Sequence, residues 1–226
     1  MSYKEDNQLK GLAVDVVQRI QQRLKDETPI TLMTWANAWQ IATTKPNVML
    51  FAMTRTPQRL KQFTMLGPVA IGMTDLYALE DSSVKIETLE DAKKVKYIGV
   101  YLSAVEDQIL SREGFSNLIR YTTPRKAALS LLNRKTELWC NANLTAHSIL
   151  KKVSPSHAKI KRVLTIGENR LYLAFSKGTD RHEILRWYRA LIAVKRSGEF
   201  KDIYNKWLPD DQPPRQIELL GLSAQP

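Results

Sequence analysis

Apolar runs at strand-like and at helical spacing alternate along almost the whole chain, and this alternation restricts the fold more than any other feature of the sequence. After a polar hairpin at Lys4 to Lys10, Leu12, Ala13, Val16, Val17, Ile20 and Leu24 mark a helix with one buried face. Pro29–Met33 predicts a strand, Trp35, Ala38, Trp39 and Ala42 a helix, and Val48–Met53 a strand. Val69–Leu79 reads as a long β-compatible connector between lobes. Further strands are expected at 97–101, 117–121, 137–140, 159–166 and 171–175. Helices are expected after Thr88 and Ser103, over 124–133, from Leu144 to Leu150, over 184–194 and over 200–207. From Pro209 the run Asp210-Asp211-Gln212-Pro213-Pro214 breaks the helix, and the remainder reads as a tail on the surface or partly disordered. Strands alternating with helices argue for an α/β protein with largely parallel sheets, in which ligands sit at the carboxyl ends of strands.

Two junctions are of that kind. At Thr54-Arg55-Thr56-Pro57-Gln58-Arg59, Thr56 is suited to cap a helix and Pro57 to open it. Arg59 then falls in the first turn, beside free N–H groups and the positive end of the helix dipole, where a cation is disfavoured by roughly 0.3–1 kcal/mol. Local spacing leaves two readings open: a solvated arginine, or an anion site made of the guanidinium fork, the Thr54 and Thr56 hydroxyls and helix N–H groups. At the second junction Tyr97-Ile98-Gly99-Val100-Tyr101 runs into Ser103-Ala104-Val105-Glu106, which has the form of a capping box with free N–H groups at Ser103.

Composition narrows the function classes. With 226 residues the chain can bury a large core or form two lobes. The net charge of +11 raises the question of a polyanionic partner. The basic residues are scattered over both halves, and no zinc-finger, RNP or basic-zipper pattern occurs, so nucleic-acid binding is not expected. The one cysteine, Cys140, sits in an apolar run and reads as a buried structural thiol. No metal-ligand spacing, cofactor fingerprint or catalytic constellation is visible, and neither metal nor cofactor is expected. No apolar run approaches the ~18 residues of a membrane span, and the first residues are polar rather than those of a signal peptide.

The order of six motifs resembles the family 3 extracellular solute-binding proteins, the type II periplasmic binding proteins of polar amino-acid ABC transporters. They are Lys10-Gly11-Leu12-Ala13-Val14-Asp15, Thr34-Trp35-Ala36-Asn37-Ala38, Thr54 to Arg59 with Gly67-Pro68, Tyr97-Ile98-Gly99-Val100, Leu173-Ala174-Phe175-Ser176-Lys177-Gly178, and Gly198-Glu199-Phe200 to Trp207-Leu208-Pro209. The resemblance covers the chain to about Pro209. It implies two α/β lobes joined by two crossover strands, with lobe one at residues 1–73 plus 170–226 and lobe two at 74–169. A small carboxylate-bearing solute, an amino acid or a related compound, would be held between them without catalysis. Arg59 would fork onto its carboxylate, helped by Thr54 and the backbone at Ala52, with Ser103 supplying N–H groups from lobe two. Trp35, which spacing alone reads as core, joins the ligand-facing candidates. An ABC transporter permease is the implied partner and the periplasm or cell exterior the implied location. A monomer is expected.

Three departures accompany the resemblance. Relatives carry a strand before the segment like Tyr3-Lys4-Glu5-Asp6, and here it is missing; the expectation is a late or truncated start, and otherwise a sheet edge open to dimerisation by strand pairing. At Asn141-Ala142-Asn143 relatives usually offer a carboxylate to the ligand's ammonium, whereas Asn141 and Asn143 offer hydrogen bonds only. Thr34 stands where proline is common, with little expected consequence. An orphan sensor or vestigial binding protein, and a dehydratase-like enzyme using Glu106 and Asp107, are the alternatives to transport binding.

Overall fold

The structure is a computed structural model describing residues 1–154, 159–209 and 211–222. Its elements in chain order are β1 (Tyr3–Glu5), β2 (Gln8–Lys10), α1 (Leu12–Leu24), α2 (Trp35–Thr44), β3 (Met49–Thr54), α3 (Pro57–Leu60), β4 (Phe63–Leu79), α4 (Leu89–Lys94) and β5 (Ile98–Tyr101). There follow α5 (Val105–Arg112), β6 (Leu118–Tyr121), α6 (Pro124–Leu132), β7 (Leu138–Ala142), α7 (Asn143–Val153), β8 (Ile160–Ser176), α8 (Arg181–Arg196), α9 (Glu199–Trp207) and β9 (Glu218–Leu220). The chain divides into two compact units, residues 1–71 with 170–226, and residues 72–169. The long strands β4 and β8 each run from one unit into the other.

In the first unit β3 pairs with β8, β8 lies beside β4, and β9 adds to β4. Ala42, Met53, Phe63, Met65, Tyr172 and Ala174 form a buried cluster between this sheet and α2, closed by Trp35 and Trp39. α1 packs on α8 and α9, and its Val14, Val17 and Ile20 are buried. Two arginines on α1, Arg19 and Arg23, bind the Glu199 carboxylate at the start of α9.

In the second unit β5 runs parallel to both β6 and β7, while β7 runs antiparallel to β4. Leu76, Ile98, Val100, Leu110, Leu138 and Cys140 fill its core. The Cys140 thiol is buried, and burial raises its pKa well above the ordinary range, as fits a structural thiol.

Four expectations need correction. The sheets are not largely parallel: among the described residues the parallel pairs are β5–β6 and β5–β7, whose connections contain the full-length helices α5 and α6 that such crossovers require. By contrast β3–β8, β4–β7 and β4–β9 are antiparallel. Pro29–Met33 forms no strand. It is largely exposed, with Leu32 at 44 % and Met33 at 38 % exposure, and it helps line a groove of about 440 Å³ together with Val48–Phe51. Among the described residues the outer edge of β3 has no strand partner either: the segment 29–33 and β3 line the same groove without pairing. The two strands expected at 159–166 and 171–175 are one, β8, and the connector at 69–79 belongs to the equally long β4. The tail past Pro209 is not loose throughout, because Glu218–Leu220 pairs with Met65–Gly67.

Candidate functional site

β3 brings four of the candidate residues together in the first unit. The strand contains a bulge at Ala52, where the register against β8 shifts between Phe51 and Met53 and the Ala52 backbone turns left-handed at φ 59°. A non-glycine residue in that region is strained, and such bulges re-aim backbone groups at sheet ends. Two residues on, β3 ends at Thr54. Thr56 then caps α3 by accepting the Arg59 N–H at 3.2 Å, with Pro57 in the first turn, as the local sequence requires.

The single turn of α3 folds Arg59 back on the strand it left. Its Nη1 donates to the Thr54 carbonyl at 3.0 Å, and its guanidinium carbon lies 4.8 Å from the Trp35 ring centre and 5.8 Å from that of Trp39. Arg59 is only 3 % exposed, so the solvated reading of this side chain is wrong. An amphipathic side chain has been recruited as the charged floor of an aromatic box, with Trp35 and Trp39 tilted against each other at 5.6 Å and Trp39 against Phe63 at 5.5 Å. Trp35 is half-buried and belongs to both the core and this box. The guanidinium is buried and fixed at one nitrogen by a carbonyl, which sets the orientation of its planar fork.

Ser103, Asn141 and Asn143 lie in the second unit. The capping box expected at Ser103 does not form: α5 is capped at Ala104 without a side-chain hydrogen bond, and Ser103 precedes it with φ 60°. The Ser103 N–H is taken by Asp107, whose buried carboxylate reaches back at 2.9 Å and also accepts from Ser111 Oγ at 3.2 Å and Arg120 Nε at 2.9 Å. The N–H groups assigned to an anion thus include one already bound to an anion of the protein. The Ser103 side chain stays exposed.

Asn141 and Asn143 flank the β7–α7 junction. Asn141, buried, donates to the Ala142 carbonyl and to Thr145 Oγ1, each at 2.9 Å. Asn143 accepts the Met73 N–H at 2.8 Å and so ties the start of α7 to β4. Both amides shape the junction.

Sequence reasoning missed Asp75. It stands opposite Asn141 in the β4–β7 pairing, is 1 % exposed, and accepts from Thr165 Oγ1 at 2.6 Å and Tyr77 Oη at 3.2 Å. Burial, and then the neighbouring Asp75, push the Tyr77 phenol well above its ordinary range, so it stays a donor. One charge in an otherwise apolar strand was the available signal, and the β-compatible run around it hid it. Among the described residues no group of three or more His, Cys, Asp or Glu side chains could hold a metal ion, and no helix is long and apolar enough to cross a membrane.

The profile of the bacterial extracellular solute-binding proteins, family 3, matches residues 1–210. No curated protein matches the chain. Among solved structures, a histidine kinase sensor domain with similarity to periplasmic binding proteins superposes with a TM-score of 0.86 at 18 % identity, covering 94 % of this chain and 92 % of its own. The arginine-, lysine-, histidine-binding protein ArtJ from the thermophilic bacterium Geobacillus stearothermophilus gives 0.82 at 19 %, with 95 % and 91 % covered. A mutant of ArgBP from T. maritima gives 0.81 at 21 %, with 92 % and 90 % covered.

Proposed function

The chain belongs to family 3 of the bacterial extracellular solute-binding proteins, and on that premise we propose that it binds a small carboxylate-bearing solute, an amino acid or a close relative, without turning it over. The observation that carries this reading is Arg59: a buried guanidinium held by the Thr54 carbonyl and stacked on Trp35. In this proposal Arg59 and Thr54 take the carboxylate, the strained Ala52 backbone adds a polar group beside it, and Trp35 covers the fork.

Binding rather than catalysis is supported by the state of Asp107. Its carboxylate is occupied by Ser103, Ser111 and Arg120, an arrangement suited to structure and not to proton transfer. Delivery of the solute to an ABC transporter permease outside the cytoplasm follows from the family and is part of the proposal.

Titration calorimetry with a panel of amino acids and organic acids tests it. One panel member binds the native protein, and Arg59→Ala weakens that binding by about 2–5 kcal/mol, the usual penalty for removing one partner of a desolvated charge pair. Arg59→Lys keeps the charge but not the fork and loses most of the same affinity, while circular dichroism reports whether each variant is folded. Native affinity in both folded variants would sink the assignment.

A further inference from the structure

The Arg59 reading leaves unused a pocket in the first unit. It occupies about 810 Å³ between the end of α8, the start of α9 and the tail at residues 211–217. Its tail wall lies beyond residue 210, where the family profile match stops. Lys195 fixes that wall: its Nζ donates to the carbonyls of Pro214 and Gln216 at 2.8 Å and of Pro68 at 3.0 Å, and the ammonium lies 4.7 Å from the Phe200 ring centre. The tail is therefore held in place, and the pocket is a defined cavity.

Its charge is one-sided. Arg196, Lys201 and Arg215 line it, and among the described residues none of the three has a hydrogen bond or an ion pair. The one acidic side chain in the lining is the exposed Asp211. Three uncompensated cations around one concavity repel each other and focus a positive potential into it. The start of α9 borders the same space at Gly198, and its first-turn Glu199 carboxylate does not line the pocket but is held by Arg19 and Arg23.

We propose that this pocket is a second ligand site, distinct from the Arg59 site, for a compact anion carrying two or more negative charges, either phosphate or carboxylate. The volume lies in the range of small-molecule sites and the walls are part apolar, from Phe200 and Pro214. Arg196 and Arg215 supply planar forks and Lys201 a point charge. The inference does not depend on Arg59 being a ligand anchor.

Calorimetric titration with pyrophosphate and with citrate, at two salt concentrations, separates the two chemistries. At least one probe binds with 1:1 stoichiometry and weakens as salt rises. The Arg196→Gln/Lys201→Gln double variant and Arg215→Gln each weaken it tenfold or more without shifting the melting temperature, since these side chains are exposed and bear no hydrogen bonds. Arg59→Ala leaves it unchanged, which separates this site from the one above. Failure of both probes to bind, native affinity in both variants, or binding only to long polyanions such as heparin would each overturn the proposal.

Discussion

The guanidinium of Arg59 and the ring of Trp35 are stacked 4.8 Å apart, although the two residues lie on elements separated by a whole strand. The contact turns an unfavourable cation in the first turn of a helix into a supported one. The ring face supplies negative potential where the helix end supplies positive, and the pair leaves Arg59 oriented by two unlike contacts, a π face and the Thr54 carbonyl.

Trp35→Ala removes one of those supports. Chemical denaturation will show a loss of about 1–3 kcal/mol, combining a partly buried cation–π contact of about 0.5–2 kcal/mol with lost apolar burial. Trp35→Phe will recover most of it. Solute affinity measured by calorimetry will fall in the same order.

At Ala52 the left-handed backbone carries a side chain that the conformation disfavours. Ala52→Gly relieves roughly 1–2 kcal/mol of strain and returns part of it through the greater freedom of the unfolded chain. The expected net gain is about 0.5–1 kcal/mol, visible as a higher melting temperature. Ala52→Val will lower it, because a β-branched residue tolerates this region worst.

Asp107 gathers a backbone N–H, a hydroxyl and a guanidinium with only 8 % of its side chain exposed. Asp107→Ala leaves the Ser103 N–H and Arg120 without their acceptor, and will cost about 2 kcal/mol or more in urea denaturation. Asp107→Asn retains one acceptor oxygen and will lie between the two. An unaffected Asp107→Ala protein would contradict the role given to this carboxylate.

Glu199 supplies a pH test. Hydrogen bonds from Arg19 and then Arg23 hold its carboxyl down to about 2, against an ordinary value of 4.5. A depressed carboxylate stabilises the fold fully above its unfolded pKa, and the contribution disappears as pH falls from about 4.5 to about 2. The difference in stability between the native protein and Glu199→Gln will therefore be constant near neutrality, shrink across that interval and vanish below it. Added salt will reduce it, since the three side chains are partly exposed.

What the sequence disclosed depended on how local the cause was. Thr56 and Pro57 set the start of α3 through contacts within four residues, and the helix begins where they place it. The meeting of Arg59 with Thr54 follows from the same few residues. The Ser103 capping box was equally local but lost to Asp107, whose carboxylate is shared with Arg120 from another strand. The strand pattern at 29–33 was sound as pattern, but the segment lines a groove with β3 instead of pairing with its open edge, which no local rule registers. Asp75 was hidden for the opposite reason: its strand was so apolar that the surrounding run outweighed one charge, and its partners Thr165 and Tyr77 become visible only when β4 and β8 are folded.

The small strand β9 changes what counts as the whole of the first unit. The family profile ends at residue 210, yet the polypeptide returns afterwards to Met65–Gly67, and Tyr172 grips Glu218 at 2.5 Å. A gene trimmed to the homologous region would cut through an edge of the sheet and through the carbonyls that Lys195 holds. Expression boundaries for this chain therefore belong beyond Leu220.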